Sequence, residues 1–176
     1  MYYPDFTVDD KWYLTALMVG WLDPDHDYPR GEVTEDFLDQ LFEFCGRPQI
    51  MTMGYHRCGF SSCKGASSGL PTIARNGQEI AVGYSEFYVE DDGILFCAPS
   101  LIYHYVHEHR YLPPARFINA VMKSRPGELQ FQNFNEPDLS QALFEALQVR
   151  ADEGLLRHTG RNVEESRGQV AIFLDR

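Results

Sequence analysis

Three residues in the segment GYHRCGFSSCK, spanning 54–64, have the types and spacing that metal chemistry needs: His56, Cys58 and Cys63. Thiolate and imidazole are ligands that zinc favours, at about 2.3 and 2.0 Å, and a zinc shell usually holds four of them. On an extended segment, residues i and i+2 project to the same side, which sets the His56 ring beside the Cys58 thiol. The loop Gly59 to Ser62 is long enough to return Cys63 to the same place, and its small residues let backbone crowd an ion. A fourth ligand must come from elsewhere, and His104, His109 and Cys97 are the candidates. Cys97 ends the apolar run ILFC and reads as a packed thiol. His109 falls near the centre of an apolar helical face, where a hydrogen-bonded buried ring is the simpler reading. His104 lies at the edge of that face and is the favoured fourth ligand. The competing reading is a loop with two ordinary thiols and a surface imidazole. His107 falls on the solvent side of its helix, and His26 and His158 show no partner pattern.

A catalytic zinc would keep an open position for water and need a nearby proton shuttle. Glu86, in the strand-like run SEFYV, is the best candidate for a general base in such a hydrolase. Against this reading, the chain contains no HExxH and no HxE followed by PCxxC. Walker A and GxGxxG are absent as well.

The elements that must position these groups follow from pattern. Residues 8–22, VDDKWYLTALMVGWL, place Trp12, Leu14, Leu17, Met18 and Trp21 at three- and four-residue steps and read as a helix. Its apolar run is too short for a membrane span, which needs about 20 residues. DPDHDYPRG is a turn, and Thr34 opens a second helix that Gly46 and Pro48 stop, with Cys45 on its buried face. Residues 49–56 read as a strand. Asn76-Gly77 signals a hairpin, and 79–89 and 94–97 complete a small antiparallel meander. Two helices follow, over 101–110 and 115–123. After a turn-rich connection come an amphipathic helix over 138–155 and a strand over 169–174. This order favours an α+β fold: a small antiparallel meander packed with several helices. Residues 1–124 form the expected zinc-stabilised core, and 125–176 an extension packed on it.

The chain has 176 residues, a net charge of −11 and 14% aromatic residues. The charge disfavours nucleic acid, whose phosphates call for Lys and Arg, and suits a protein partner with a basic surface. The opening MYYPDFTVDDK has no basic stretch followed by an apolar one, so a cytoplasmic protein with reduced cysteines is expected.

WLDPDHDYPRGEV, GYHRCGFSSC, GYSEFYV and APSLIYHYVHEHRYLPPARFINAV together resemble an uncharacterised bacterial family of small soluble proteins. The likeness covers roughly residues 20 to 122. It rests on His56, Cys58 and Cys63, on Gly83 and Glu86, and on the His104-Tyr105-Val106…His109-x-Tyr111-x-Pro113-Pro114 segment. The gap between Cys58 and Cys63 is wider than the two intervening residues usual in that family. The resemblance implies a shared His/Cys site and no particular activity. The expected function is therefore that of a small acidic protein with a structural zinc. It would act through a protein partner, as an immunity or antitoxin protein does, with the Glu86 hydrolase as the alternative.

Overall fold

The computed structural model describes residues 2–11, 14–52, 54–63 and 69–129. The helix expected over 138–155 and the strand expected over 169–174 lie outside the described residues. Within them the fold is α+β, with a mixed five-stranded sheet, a separate two-stranded ribbon and three helices.

The chain opens with β1 (Thr7–Lys11) and β2 (Leu14–Met18), paired antiparallel from Thr7↔Met18 to Lys11↔Leu14. This corrects the helix expected over 8–22. β2 lies inside the sheet, between β1 and β7 (Ile94–Pro99), and runs parallel to β7 with Leu17 opposite Phe96. Leu17 packs toward the helices and Met18 toward the opposite face, both almost fully buried. A strand covered on both faces reads as a continuous apolar run, and over so short a stretch its period cannot be told from that of a buried helix.

Helix α1 (Glu35–Gly46) starts where expected, because Thr34 Oγ1 accepts the Phe37 N–H at 3.2 Å. Phe37, Leu41 and Phe44 on its inner face are at most 2% exposed. Cys45 is buried beside them, and burial pushes its thiol up to about 12, the state of an inert core cysteine. β3 (Ile50–Met51) is a two-residue strand on the edge, paired with β6 (Ser85–Asp91). β4 (Thr72–Arg75) and β5 (Gln78–Ala81) form the ribbon, turned at Asn76-Gly77, where both residues have positive φ as the tight hairpin demands. Arg75 ties the ribbon to α1 through Asp39 and Glu35. The ribbon is thus separate from the β6–β7 antiparallel pair, and the expected single meander is divided into two sheets.

Helices α2 (Ile102–His109) and α3 (Ala115–Lys123) join α1 over one face of the large sheet. Phe87 packs on Phe44 with ring centroids 5.4 Å apart, and Phe96 meets Phe117 edge-on at 6.1 Å. The same burial makes one polar tie rigid. Tyr111 O–H donates to Asp5 Oδ1 at 2.6 Å, and the Gly20 N–H reaches the same oxygen at 3.0 Å. This contact joins the first strand pair to the chain leaving α2.

Candidate metal centre

Two segments supply the centre. The first is the loop 54–63, which ends in a 3₁₀ turn over Ser61–Cys63, closed by the Cys63 N–H donating to Phe60 O at 2.9 Å. The turn carries Cys63 back toward Cys58. Gly59 lies against Pro24, where a Cβ would come within 3.2 Å of the proline ring, so the loop sits closely on the 23–31 turn.

The second is α2, which carries His104 and His109. On a regular α-helix residues five apart diverge by about 140°, so these rings would face different ways. The end of α2 is not regular. Arg110 adopts a left-handed conformation, φ 55°, and its N–H reaches back five residues to Tyr105 O. The Tyr111 N–H meets the same carbonyl at 3.1 Å. This wide, π-like last turn rotates His109 less per residue and swings its ring back toward His104. The strap 28–31 braces the turn: Gly31 N–H donates to Arg110 O and Leu112 N–H to Pro29 O, each at 3.0 Å. Phe60 stacks on the His109 ring at 4.4 Å, which fixes the imidazole from the loop side.

The result is a cluster of Cys58, Cys63, His104 and His109, whose donor atoms all lie within 4.8 Å of one another. His109 Nε2 is 3.2 Å from Cys58 Sγ, 3.3 Å from Cys63 Sγ and 3.2 Å from His104 Nε2, and Cys63 Sγ is 3.4 Å from His104 Nε2. An imidazole nitrogen has one hydrogen or one lone pair and makes one good hydrogen bond. Nε2 of His109 has three neighbours at that range, so hydrogen bonding alone does not account for the packing. A tetrahedral ion with bonds of about 2.0–2.3 Å sets its ligand atoms about 3.3–3.8 Å apart, close to the separations found. Burial lowers the pKa of both imidazoles, which favours the neutral form that can ligate. Burial, with Cys63 adding to it, pushes the Cys58 thiol up to about 12. A cation in the cluster would reverse that by displacing the proton.

Of the residues marked out by sequence, Cys58, Cys63 and His104 come together. His56 is not in the group. Its N–H donates to Gly83 O, which fixes this part of the loop against the segment just before β6, and the residue borders a neighbouring cavity. His109, held in the sequence reading as a buried hydrogen-bonded ring and an alternative ligand, stands in the cluster. Its signal was the helix end before Arg110, Tyr111 and the two prolines, and the widening of that turn is not encoded in any helical wheel. Cys97 is fully buried, with its thiol 3.7 Å from Glu86 Oε2. Glu86 is not among the grouped donors, and Tyr88 O–H donates to its Oε2 at 3.1 Å. His107 is exposed and paired with Glu108, and His26 stacks on Tyr2. His158 lies outside the described residues.

An α+β domain with a Cys2His2 cluster able to hold a metal ion is therefore the class of protein that fold and site define. Residues 1–122 match the family model described as Domain of unknown function (DUF7919), and the chain belongs to that family. No curated protein and no solved structure matches the chain. Among the described residues no helix is long and apolar enough to cross a membrane.

Proposed function

We propose that the cluster holds one zinc ion in a closed, structural shell, and that the domain so stabilised is a cytoplasmic protein that binds a partner with a basic surface. One observation carries the metal reading: two thiols and two imidazoles from separate segments gather with their donor atoms within 4.8 Å of one another, and His109 Nε2 lies 3.2–3.3 Å from each thiol and from His104 Nε2. Four protein donors match the full complement of a structural zinc and leave no position for substrate water. Thiolate and imidazole together favour zinc over the harder cations, which prefer oxygen. A structural zinc of this kind contributes on the order of 10 kcal/mol to folding. The four cysteines are all free thiols, the state that a reducing compartment maintains.

The partner reading rests on the charge of −11. Such a field steers basic surfaces to the protein and repels phosphate backbones. An inhibitor of a basic toxin, as an immunity or antitoxin protein is, fits this chemistry. Elemental analysis of protein purified without added metal tests the first part, with about one zinc per chain expected. Cross-linking and affinity capture test the second, where recovery of a basic protein in a salt-sensitive complex is expected. Metal-free protein of unchanged stability would sink the zinc reading, and capture of no basic protein would sink the partner reading.

A further inference from the structure

Cys58 and Cys63 differ from the other two thiols of the chain. Cys45 is 2% exposed and Cys97 is fully buried, and neither is among the clustered donors. Cys58 and Cys63 are only partly buried, as are His104 and His109. A groove of about 490 Å³, lined by Tyr28, Phe60, Ser61, Ser62 and His109, borders the cluster, so a small solute can approach from that side.

The placement of the two thiols matters more than their exposure. Both come from one loop, and the 3₁₀ turn over Ser61–Cys63 doubles that loop back until their sulfurs lie within 4.8 Å of each other. A bond of about 2.05 Å between them asks for side-chain rotation within the loop. Helix α2 need not move, because its last turn is held by the 28–31 strap through Gly31 N–H to Arg110 O and Leu112 N–H to Pro29 O. With the thiols joined, His104 and His109 alone would remain, half of the donors that a structural zinc takes.

Resting on the zinc reading, we propose that Cys58 and Cys63 are a site of reversible oxidation by a peroxide, at which closure of a Cys58–Cys63 disulfide ejects the metal. Ligation keeps both sulfurs as thiolates, the form that attacks an oxidant. One sulfur attacks a peroxide oxygen. The O–O bond breaks, hydroxide leaves and takes up a proton, and a sulfenic acid is left on the cysteine. The other thiolate attacks that sulfur, the S–O bond breaks, and a second hydroxide leaves to become water. Two thiolates, one hydrogen peroxide and two protons thus give one disulfide and two waters. The sulfurs lose two electrons, the peroxide gains them, and the oxidation state of the zinc does not change. A dithiol reductant reverses the step, and added zinc re-forms the shell.

The test uses the full chain, with its zinc content measured first. It is treated with hydrogen peroxide in slight excess beside a zinc indicator, and a sample with indicator and no peroxide sets the baseline. The expected result is about one zinc released for each two thiols lost, on one time course. Peptide mapping is expected to find the Cys58–Cys63 disulfide, and dithiothreitol with added zinc to restore the metal. That reversal separates the disulfide from oxidation of the exposed Met51 and Met122, which dithiothreitol leaves in place. Zinc-loaded protein that keeps its metal and its thiols would overturn the proposal. So would a disulfide formed with the metal retained, zinc lost through sulfinic acid, or a disulfide that includes Cys45 or Cys97. Protein that carries no zinc before peroxide is added is a separate outcome, which removes the metal reading and this proposal with it.

Discussion

Nε2 of His109 lies 3.2 Å from Nε2 of His104, although the two residues are five apart on α2 and a regular helix would point them in different directions. The convergence depends on the wide turn at Arg110. It makes His109, rather than His56, the imidazole that stands with His104 and the two thiols. Substitution separates these roles. His109→Ala and Cys58→Ser are each expected to abolish stoichiometric zinc, whereas His56→Ala retains about one zinc per chain. Elemental analysis of the three purified variants reads the difference.

Loss of the metal should be felt in stability as well. Cys63→Ser removes a donor from the cluster, and unfolding midpoints of variant and wild type are expected to differ by several kcal/mol, since structural zinc sites contribute on the order of 10 kcal/mol. A chelator added to wild-type protein should lower its melting temperature to that of the variant. A chelator that strips the metal and leaves the melting curve in place would show that the ion does not hold the fold together.

Metal affinity has a defined pH dependence. The Cys58 thiol is pushed up to about 12 by burial, with Cys63 contributing, so the metal-free cluster keeps its proton at neutral pH. A thiol ligates only as thiolate, and each one that enters the shell releases a proton. Affinity should rise with pH by about tenfold per unit for each proton displaced, and acid should release the metal. Competition with a zinc indicator from about pH 6 to 8, below the ordinary thiol value of about 8.5, measures the slope, and a flat profile would contradict thiolate ligation.

The Asp5–Tyr111 contact gives a second pH effect, carried by a carboxyl that is not one of the clustered donors. Burial raises the Asp5 pKa above the ordinary carboxylate value, although the hydrogen bonds from Tyr111 and Gly20 pull it the other way. The folded state therefore holds this proton more tightly than the unfolded chain. Its contribution to stability is fully present below the unfolded value and declines as pH rises through the folded one. Asp5→Asn lacks the titration, so the stability of wild type relative to this variant should fall as pH is raised from below 3.8. Denaturant midpoints of both proteins across that window give the sign directly.

Gly83 takes a φ of +85°, and a Cβ there would collide with the carbonyl oxygen of His56. Gly83→Ala is expected to destabilise the protein by at least about 1 kcal/mol, from the left-handed backbone alone. The clash falls on the loop that leads to Cys58, so weaker zinc retention should accompany the lower melting temperature. Isothermal unfolding and a zinc release assay on the same sample test both parts.

The residues that were legible in the sequence share one property: their structure is decided locally. Thr34 caps α1 with its own side chain, and Asn76-Gly77 turns the ribbon because both residues accept positive φ. Cys58 and Cys63 are five positions apart on one loop, so a short turn suffices to join them. What was not legible depends on distant neighbours. Leu14 to Met18 form a strand because β7 lies parallel to them, a partner almost eighty residues away. His109 joins the metal cluster because the strap around Pro29 and Gly31 braces a widened helix end. No local periodicity carries either fact.

Among the described residues, the order of the large sheet leaves two strands at its borders, β1 and β3. An open border is a template on which another copy of the chain can add itself, and long uncharged borders seed fibrous assembly. Here β3 has only two residues, too few to register a guest strand, and β1 has the sequence TVDDK, with three charged residues in five. A border this rich in charge discourages the chain from polymerising with itself.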